Sequence, residues 1–225
     1  MPNAIESPPL TLVCFAVPEE ARPFQKSVVS NPHIAVQVRM VVSGMGRRNA
    51  QAMIDAELKK ERPGLVLTCG YAGALNPELA MGQIVFYADS KVPNASRLEA
   101  LGGQAVRFLH SDTIVVRAVD KARLRAESGA DAVEMESSII RAVCRDQGIP
   151  SATIRVISDT ASQDMPLDFN ALLTPDLKMN YLRLGAMILK NPQHIPTLWA
   201  FGRETRKAAE ALGNFLVRFI GGMGS

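Results

Sequence analysis

Short β-branched runs alternate with amphipathic stretches over the first 160 residues, and this alternation constrains the fold more than any other feature of the chain. Runs at 10–17, 34–43, 64–69, 83–87, 104–109, 113–117, 131–134 and 151–158 read as strands. Between them, 48–62 and 136–147 carry helical spacing. In the second, Ile139, Ile140, Val143 and Cys144 form the apolar stripe, and Gly148 then Pro150 stop it in the order expected of a helix C-terminus. Such a pattern buries a sheet between helices, so the expected class is α/β, with helices on both faces of a mostly parallel or mixed sheet.

The last third reads differently. A polar stretch at 160–166 leads into two helical patterns, about 175–190 and 195–219, separated by Pro192 and Pro196. Leu177, Tyr181, Leu184 and Ile188 mark the first, and Leu198, Phe201, Leu212, Phe215 and Phe219 the second. Both are expected to pack on the sheet; a basic face with Arg203, Arg206 and Lys207 leaves a membrane-surface role as the competing reading. The glycine-rich end, 221–225, reads as frayed. At 225 residues, with no repeat or low-complexity linker, the chain is expected to form one domain over 1–225.

Several function classes are disfavoured by composition. A net charge of +3 and 5% aromatic residues argue against nucleic acid as the partner and leave a small molecule as the better expectation. Cys14, Cys69 and Cys144 are odd in number and form no C-x-x-C pair, and the three histidines are scattered. Buried reduced thiols, no metal and a cytoplasmic location are therefore expected. No basic residue precedes Arg22, so no secretory n-region is read, and the apolar run 12–17 is far too short to span a bilayer.

Two glycine segments and three acidic segments carry the candidate chemistry. Gly44-Met-Gly-Arg-Arg-Asn follows a strand and opens a helix but lacks the third glycine and the later acid of a dinucleotide site. Its amides, with Arg47 and Arg48, remain a candidate anion cradle. The segment 68–75, containing Gly70 and Gly73, is read as a loop at a strand end that allows either close backbone approach to a ligand or a tight exit. Glu19 and Glu20 follow the first strand, Glu134 and Glu136 flank a strand-to-helix junction, and Asp159 ends an apolar strand. Singly these are ordinary helix-start and turn acids. Together they gather at strand carboxyl ends, where open α/β sheets bind ligands.

At these residues the chain resembles a known family. Ala16-Val-Pro-Glu-Glu20, Ser43-Gly-Met-Gly46, Gly70-Tyr-Ala-Gly73, Ala132-Val-Glu-Met-Glu136 and Arg155-Val-Ile-Ser-Asp159 occur in the order and spacing of the nucleoside phosphorylase and nucleosidase superfamily. The similarity is greatest to its methylthioadenosine/S-adenosylhomocysteine nucleosidases, over about 10–160. The tail, with Asn191-Pro-Gln-His-Ile-Pro and the helix after it, resembles the hopanoid-associated phosphorylases. The resemblance implies a three-layer α/β/α fold around a central mixed, partly barrel-like sheet, no cofactor, and assembly as a homo-oligomer, dimer or hexamer.

It also implies roles. Cleaving a purine N-glycosidic bond passes through an oxocarbenium-like cation, with leaving-group protonation on one side and a nucleophile on the other. Asp159, with Ser158 beside it, would handle the proton at purine N7, and Glu20 would activate water. Glu136 would accept the ribose hydroxyls, Met135 would pack against the sugar and Glu134 would support the site. Backbone groups near Gly73 and side chains near Ile114 would line the base pocket, with Ala72 also at the substrate and Tyr71 at the pocket floor beside the nucleophile.

The chain also departs from the pattern. Tyr71 replaces a small or hydroxyl residue, and Thr68 stands where phosphorylases carry an arginine, which favours water over phosphate unless Arg22, Arg47 or Arg48 substitutes. No stacking aromatic occurs at 111–114, and the segment 87–101 is short for a substrate cover, which suits a bulky, even lipid-linked, 5′-substituent. The expected function is cleavage of a purine, most simply adenine, nucleoside. The alternative is a nucleoside-binding protein on the same fold that has lost turnover.

Overall fold

The computed structural model describes residues 9–190 and 192–223, apart from the side chains of Lys190 and His194. The readings made on residues 1–8 and on the last two residues lie outside this range. Eight strands, β1 (Thr11–Phe15), β2 (Val38–Val42), β3 (Leu65–Ala74), β4 (Ile84–Ala88), β5 (Gln104–Ala105), β6 (Phe108–His110), β7 (Ala132–Glu134) and β8 (Ser151–Asp159), join one mixed sheet. The helices are α1 (Pro18–Val29), α2 (Pro32–Ala35), α3 (Arg47–Lys60), α4 (Ser96–Ala100), α5 (Ala118–Ser128), α6 (Ser137–Asp146), α7 (Tyr181–Lys190) and α8 (Ile195–Gly221).

The layers follow from side-chain alternation along the central strands. On β1, Val13 and Phe15 join a core with α1 and the C-terminal half of α8, through Phe24, Leu212, Phe215 and Phe219. Leu12 and Cys14 point the other way and pack with Ala50 and Ile54 of α3 and Ile139, Ile140 and Cys144 of α6. A strand with apolar side chains on both faces must be covered on both, which makes the α/β/α sandwich. The three cysteines are buried and unpaired. Among the described residues no helix is long and apolar enough to cross a membrane.

The strand order β2-β1-β3-β8-β4-β5 is parallel from β2 through β8, while β4 runs antiparallel to β8. The sheet divides along β3. Its first part pairs with β1, from Leu65 to Thr68, and its last two residues, Gly73 and Ala74, pair antiparallel with β7, to which β6 is joined. Along that edge Cys69 to Ala72 have no strand partner, so a gap opens beyond the carboxyl end of β1. This is the partly barrel-like departure from an open sheet.

Several expectations need correction. The segment 68–75 is not a loop: β3 runs through it to Ala74. Residues 113–117 form no strand, because Asn170 donates its side-chain N–H to the Ile114 carbonyl (2.8 Å) and accepts the Ile114 N–H (2.9 Å), leaving the backbone satisfied without a neighbouring strand. The run 34–43 gives up its start to α2, entered through Pro32. The run 104–109 breaks into β5 and β6 where Arg107 donates its N–H to Asp131 at 2.9 Å. No helix is expected at 18–29, yet α1 forms with Pro18 at its start, Glu19 and Glu20 in its first turn and Lys26 in its last. The pattern at 175–190 becomes helical only at Tyr181; before it, Leu173 bridges Met179, and Leu177 sits at φ +55°. The glycine-rich end is helical to Gly221, and Met223 packs on the core.

Candidate active site

The gap beside β3 is filled by carboxylates. Glu20 is the third residue of α1, and its Oε2 accepts the N–H groups of Ala16 (3.1 Å) and Val17 (3.2 Å), the return half of a capping box. Its Oε1 accepts the Tyr71 N–H at 2.9 Å, using one of the β3 amides left without a strand partner. Burial pushes the Glu20 carboxyl up to about 7, against the opposing influence of the Arg155 guanidinium and these N–H bonds.

Arg155, 1% exposed on β8, is the centre of the cluster. It pairs in register with Gly70, and its guanidinium crosses that glycine toward the gap. A Cβ at Gly70 would lie 2.7 Å from both Glu20 carboxylate oxygens and 2.8 Å from Arg155 Nη1, on a backbone at φ +143°. Glycine is therefore required here for close approach of charged side chains. Arg155 Nη2 contacts Glu134 Oε2 at 2.7 Å and Glu136 Oε2 at 3.4 Å. Burial pulls the pKa of this arginine down, but Glu134, Glu136 and Glu20 outweigh it and hold the pKa above the ordinary value.

Glu134 and Glu136 take different tasks. Glu134 Oε2 also accepts the N–H groups of Glu136 (2.9 Å) and Ser137 (2.6 Å), so it holds the start of α6 as well as Arg155. Glu136 Oε1 accepts the Gly46 N–H at 2.9 Å, and only the longer contact to Arg155 engages Oε2. Burial raises the Glu136 carboxyl, with Arg155 pulling the other way. Met135 is buried between the two acids. The Gly46 amide thus serves the chain's own carboxylate, and the Gly44 amide donates to the Ala16 carbonyl at 3.0 Å. Arg47 and Arg48 are exposed at the start of α3 and make no ion pair among the described residues, so the structure does not join them to the carboxylate cluster.

Asp159 occupies the far end of the gap. The register between β3 and β8 slips so that Ala72 opposes Ile157 and Gly73 opposes Asp159, making Ser158 the extra residue of a bulge. The Ser158 hydroxyl donates to Asp159 Oδ1 at 2.7 Å, with the Ala72 carbonyl 3.3 Å away, and a Cβ at Gly73 would lie 3.1 Å from Asp159 Oδ2. Asp159 Oδ2 is paired with Lys121 Nζ at 2.6 Å. Lys121 is 0% exposed, and its ammonium also donates to the carbonyls of Thr160 (2.8 Å) and Gln163 (2.9 Å). Three residues of strand separate Gly70, beside Glu20, from Gly73, beside Asp159, which is about 10 Å.

Sequence reading missed Arg155 and Lys121. Arg155 had a signal: a lone charge inside the apolar run of 151–158 has to find partners when that strand is buried. Lys121 had none, since α5 is rich in charge and its inward residue is fixed only by packing. Tyr71 turns toward α8, donating its hydroxyl to the Thr205 carbonyl at 3.0 Å. Ile114 makes no hydrogen bond to the carboxylates among the described residues. It lines a separate cavity of about 500 Å³ with Thr113, Val116, Arg117, Leu124 and Asn170.

A family model described as the Phosphorylase superfamily matches residues 104–220, just over half of the chain. The chain belongs to this superfamily. Among solved structures, it is similar to the 5′-methylthioadenosine/S-adenosylhomocysteine nucleosidase of Helicobacter pylori, with 17% identity over 96% of this chain and 100% of that one, at a TM-score of 0.68. It is similar to the futalosine hydrolase of the same bacterium, with 17% identity over 92% and 95% of the two chains and a TM-score of 0.64. The 5′-methylthioadenosine nucleosidase of Arabidopsis thaliana gives 14% identity over 97% and 98%, at 0.68. At these identities the likeness shows a shared fold, and the phosphorylase-like α/β/α architecture expected from the superfamily motifs is the one observed.

Proposed function

We propose that this superfamily member hydrolyses the N-glycosidic bond of a purine nucleoside, with adenine as the favoured base. The observation that carries the reading is the division of buried carboxylates into two stations along β3, Glu20 with Glu136 beside Gly70 and Asp159 beside Gly73, two glycines that an extended strand sets about 10 Å apart. That span suits a sugar at the first station and its base at the second. Glu20 takes a proton from water as the water oxygen bonds to C1′. The C1′–N9 bond breaks, and N7 of the departing purine receives a proton that Asp159 takes up from solvent as the nucleoside binds, while the proton gained by Glu20 returns to solvent after the sugar leaves. The Lys121 ammonium then stabilises the Asp159 carboxylate that remains. Glu136 Oε2, loosely held, is free to accept ribose hydroxyls.

Water is favoured over phosphate because the buried cation of the cluster, Arg155, is committed to Glu134 and Glu136, and the Gly46 amide to Glu136. The test is chromatographic: base release from adenosine, methylthioadenosine and a long-chain 5′-alkyl adenosine, each with and without phosphate. Release without phosphate is expected. Release only with phosphate would overturn the choice of nucleophile, and thermal stabilisation by these compounds without release would favour a binding protein.

Glu20 gives a pH signature. A base must be ionised to accept a proton, so kcat/KM should rise with pH through about 7, the position to which burial pushes this carboxyl. Glu20→Gln is expected to abolish hydrolysis while leaving nucleoside binding, read by calorimetry, within a few-fold. A pH profile flat between 5 and 8 would remove Glu20 from the role of base.

A further inference from the structure

The segment 181–207 is apolar in sequence, yet none of its described side chains is buried. In α7 the residues Tyr181 (68% exposed), Leu182 (88%) and Leu189 (85%) stand in solvent, and in the first half of α8 so do Ile195 (49%) and Trp199 (67%). Five of the ten large, exposed apolar residues among those described thus lie within 19 residues. They form stripes. Leu182, Ala186 and Leu189 follow helical spacing on α7, and Ile195, Trp199 and Gly202 do so on α8. The buried residues of α8 begin only at Ala208.

Charge beside the two stripes is positive: the one acidic residue of 181–207, Glu204, is five residues beyond Trp199 and so on another side of α8. From Leu177 to Arg203 the chain holds Lys178, Arg183, Lys190 and Arg203 and no acidic residue. The Arg203 guanidinium lies 5.1 Å over the Trp199 ring, so cation and apolar ring are presented together. A second copy of the chain meeting this face by two-fold symmetry would set the same uncompensated positive patch against itself. An anionic bilayer supplies both what the stripes and what the cations lack: acyl depth for leucine and tryptophan, and phosphate for lysine and arginine.

We propose that α7 and the first half of α8 form an in-plane membrane-binding surface for anionic phospholipid. The surface adjoins the carboxylate cluster, since Thr205 of α8 accepts the Tyr71 hydroxyl and the Tyr71 N–H binds Glu20. It also adjoins the Leu177 turn, whose side chain lies over Gly46. Attachment would therefore hold the site close to the bilayer without any helix crossing it.

Trp199 is the only tryptophan in the chain and reports directly on the surface. With the full chain, vesicles of phosphatidylglycerol mixed with phosphatidylcholine are expected to blue-shift its fluorescence, protect it from acrylamide and float with the protein, and salt should weaken all three. Pure phosphatidylcholine should do so far less. Arg183→Gln and Arg203→Gln should each lower partitioning about 5-fold, and Leu182→Gln with Leu189→Gln at least ~10-fold. These side chains are exposed, so melting temperature should not move. No flotation on phosphatidylglycerol at low salt would overturn the proposal. So would equal binding by the leucine variants, or a concentration-dependent dimer that those variants disperse in the absence of lipid.

Discussion

Asp159→Asn is expected to slow base release at least ~10²-fold. It should cost stability as well, because the Lys121 ammonium, 0% exposed, is then buried without a counter-charge and keeps only neutral partners, its two carbonyls among them. The amide oxygen can accept from Lys121 Nζ or from Ser158 Oγ, now 2.6 and 2.7 Å from the two carboxylate oxygens, but not from both. With the oxygen toward Lys121, the amide N–H can instead donate to the Ser158 hydroxyl, which keeps the bulge in place. What the amide lacks is a proton it can give to N7 and a charge for Lys121 to stabilise afterwards. The loss should therefore depend on the leaving group. A riboside of a good leaving group such as nitrophenol needs no protonation, and its hydrolysis should fall much less than that of a purine nucleoside. Measuring kcat on both substrates separates the two cases. An equal fall on both would mean that Asp159 shapes the site instead of moving the proton, and a near-normal rate on the nucleoside would remove it from the chemistry altogether.

The parts of this protein that were legible in its sequence are those set by local pattern. The buried strands β4, β7 and β8 and the helices α3, α6 and α8 announce themselves by periodicity and by their stop signals. The carboxylates Glu20, Glu136 and Asp159 announce themselves by position at strand ends and helix starts. What failed did so where backbone bonds are satisfied by distant residues. The β-branched run at 113–117 has strand composition, but Asn170, 56 residues later, takes both backbone groups of Ile114. β3 carries two glycines and still remains a strand because β8 pairs with it as far as Gly73. The glycines answer to side chains crowding its face, Arg155 and Glu20 leaving no room for a Cβ at Gly70 and Asp159 little at Gly73. A glycine-rich stretch that looks like a loop is then a strand adapted to charge.

The same crowding governs the largest stability effect expected in the molecule. Arg155→Met should destabilise the fold by about 3–5 kcal/mol, because it leaves Glu134 and Glu136 buried with no cation between them. For a chain of this size that is a fall in melting temperature of about 10 °C. The deficit should depend on pH, with a definite sign. Glu20 titrates at about 7 in the folded chain against an ordinary 4.5, so between those values the folded state holds more protons than the unfolded one. Stability is then fullest below the unfolded value and falls as pH rises through about 7. Arg155 opposes the effect of burial on both Glu20 and Glu136, so its removal raises both carboxyls further and steepens the fall. Urea denaturation should accordingly find a large deficit at pH 8 and a smaller one at pH 5. A deficit equal at the two pH values would mean that methionine disturbs packing instead of charge. A deficit under about 1 kcal/mol, the scale of an exposed pair, would mean that the carboxylates find other partners and that Arg155 is not the residue holding them together.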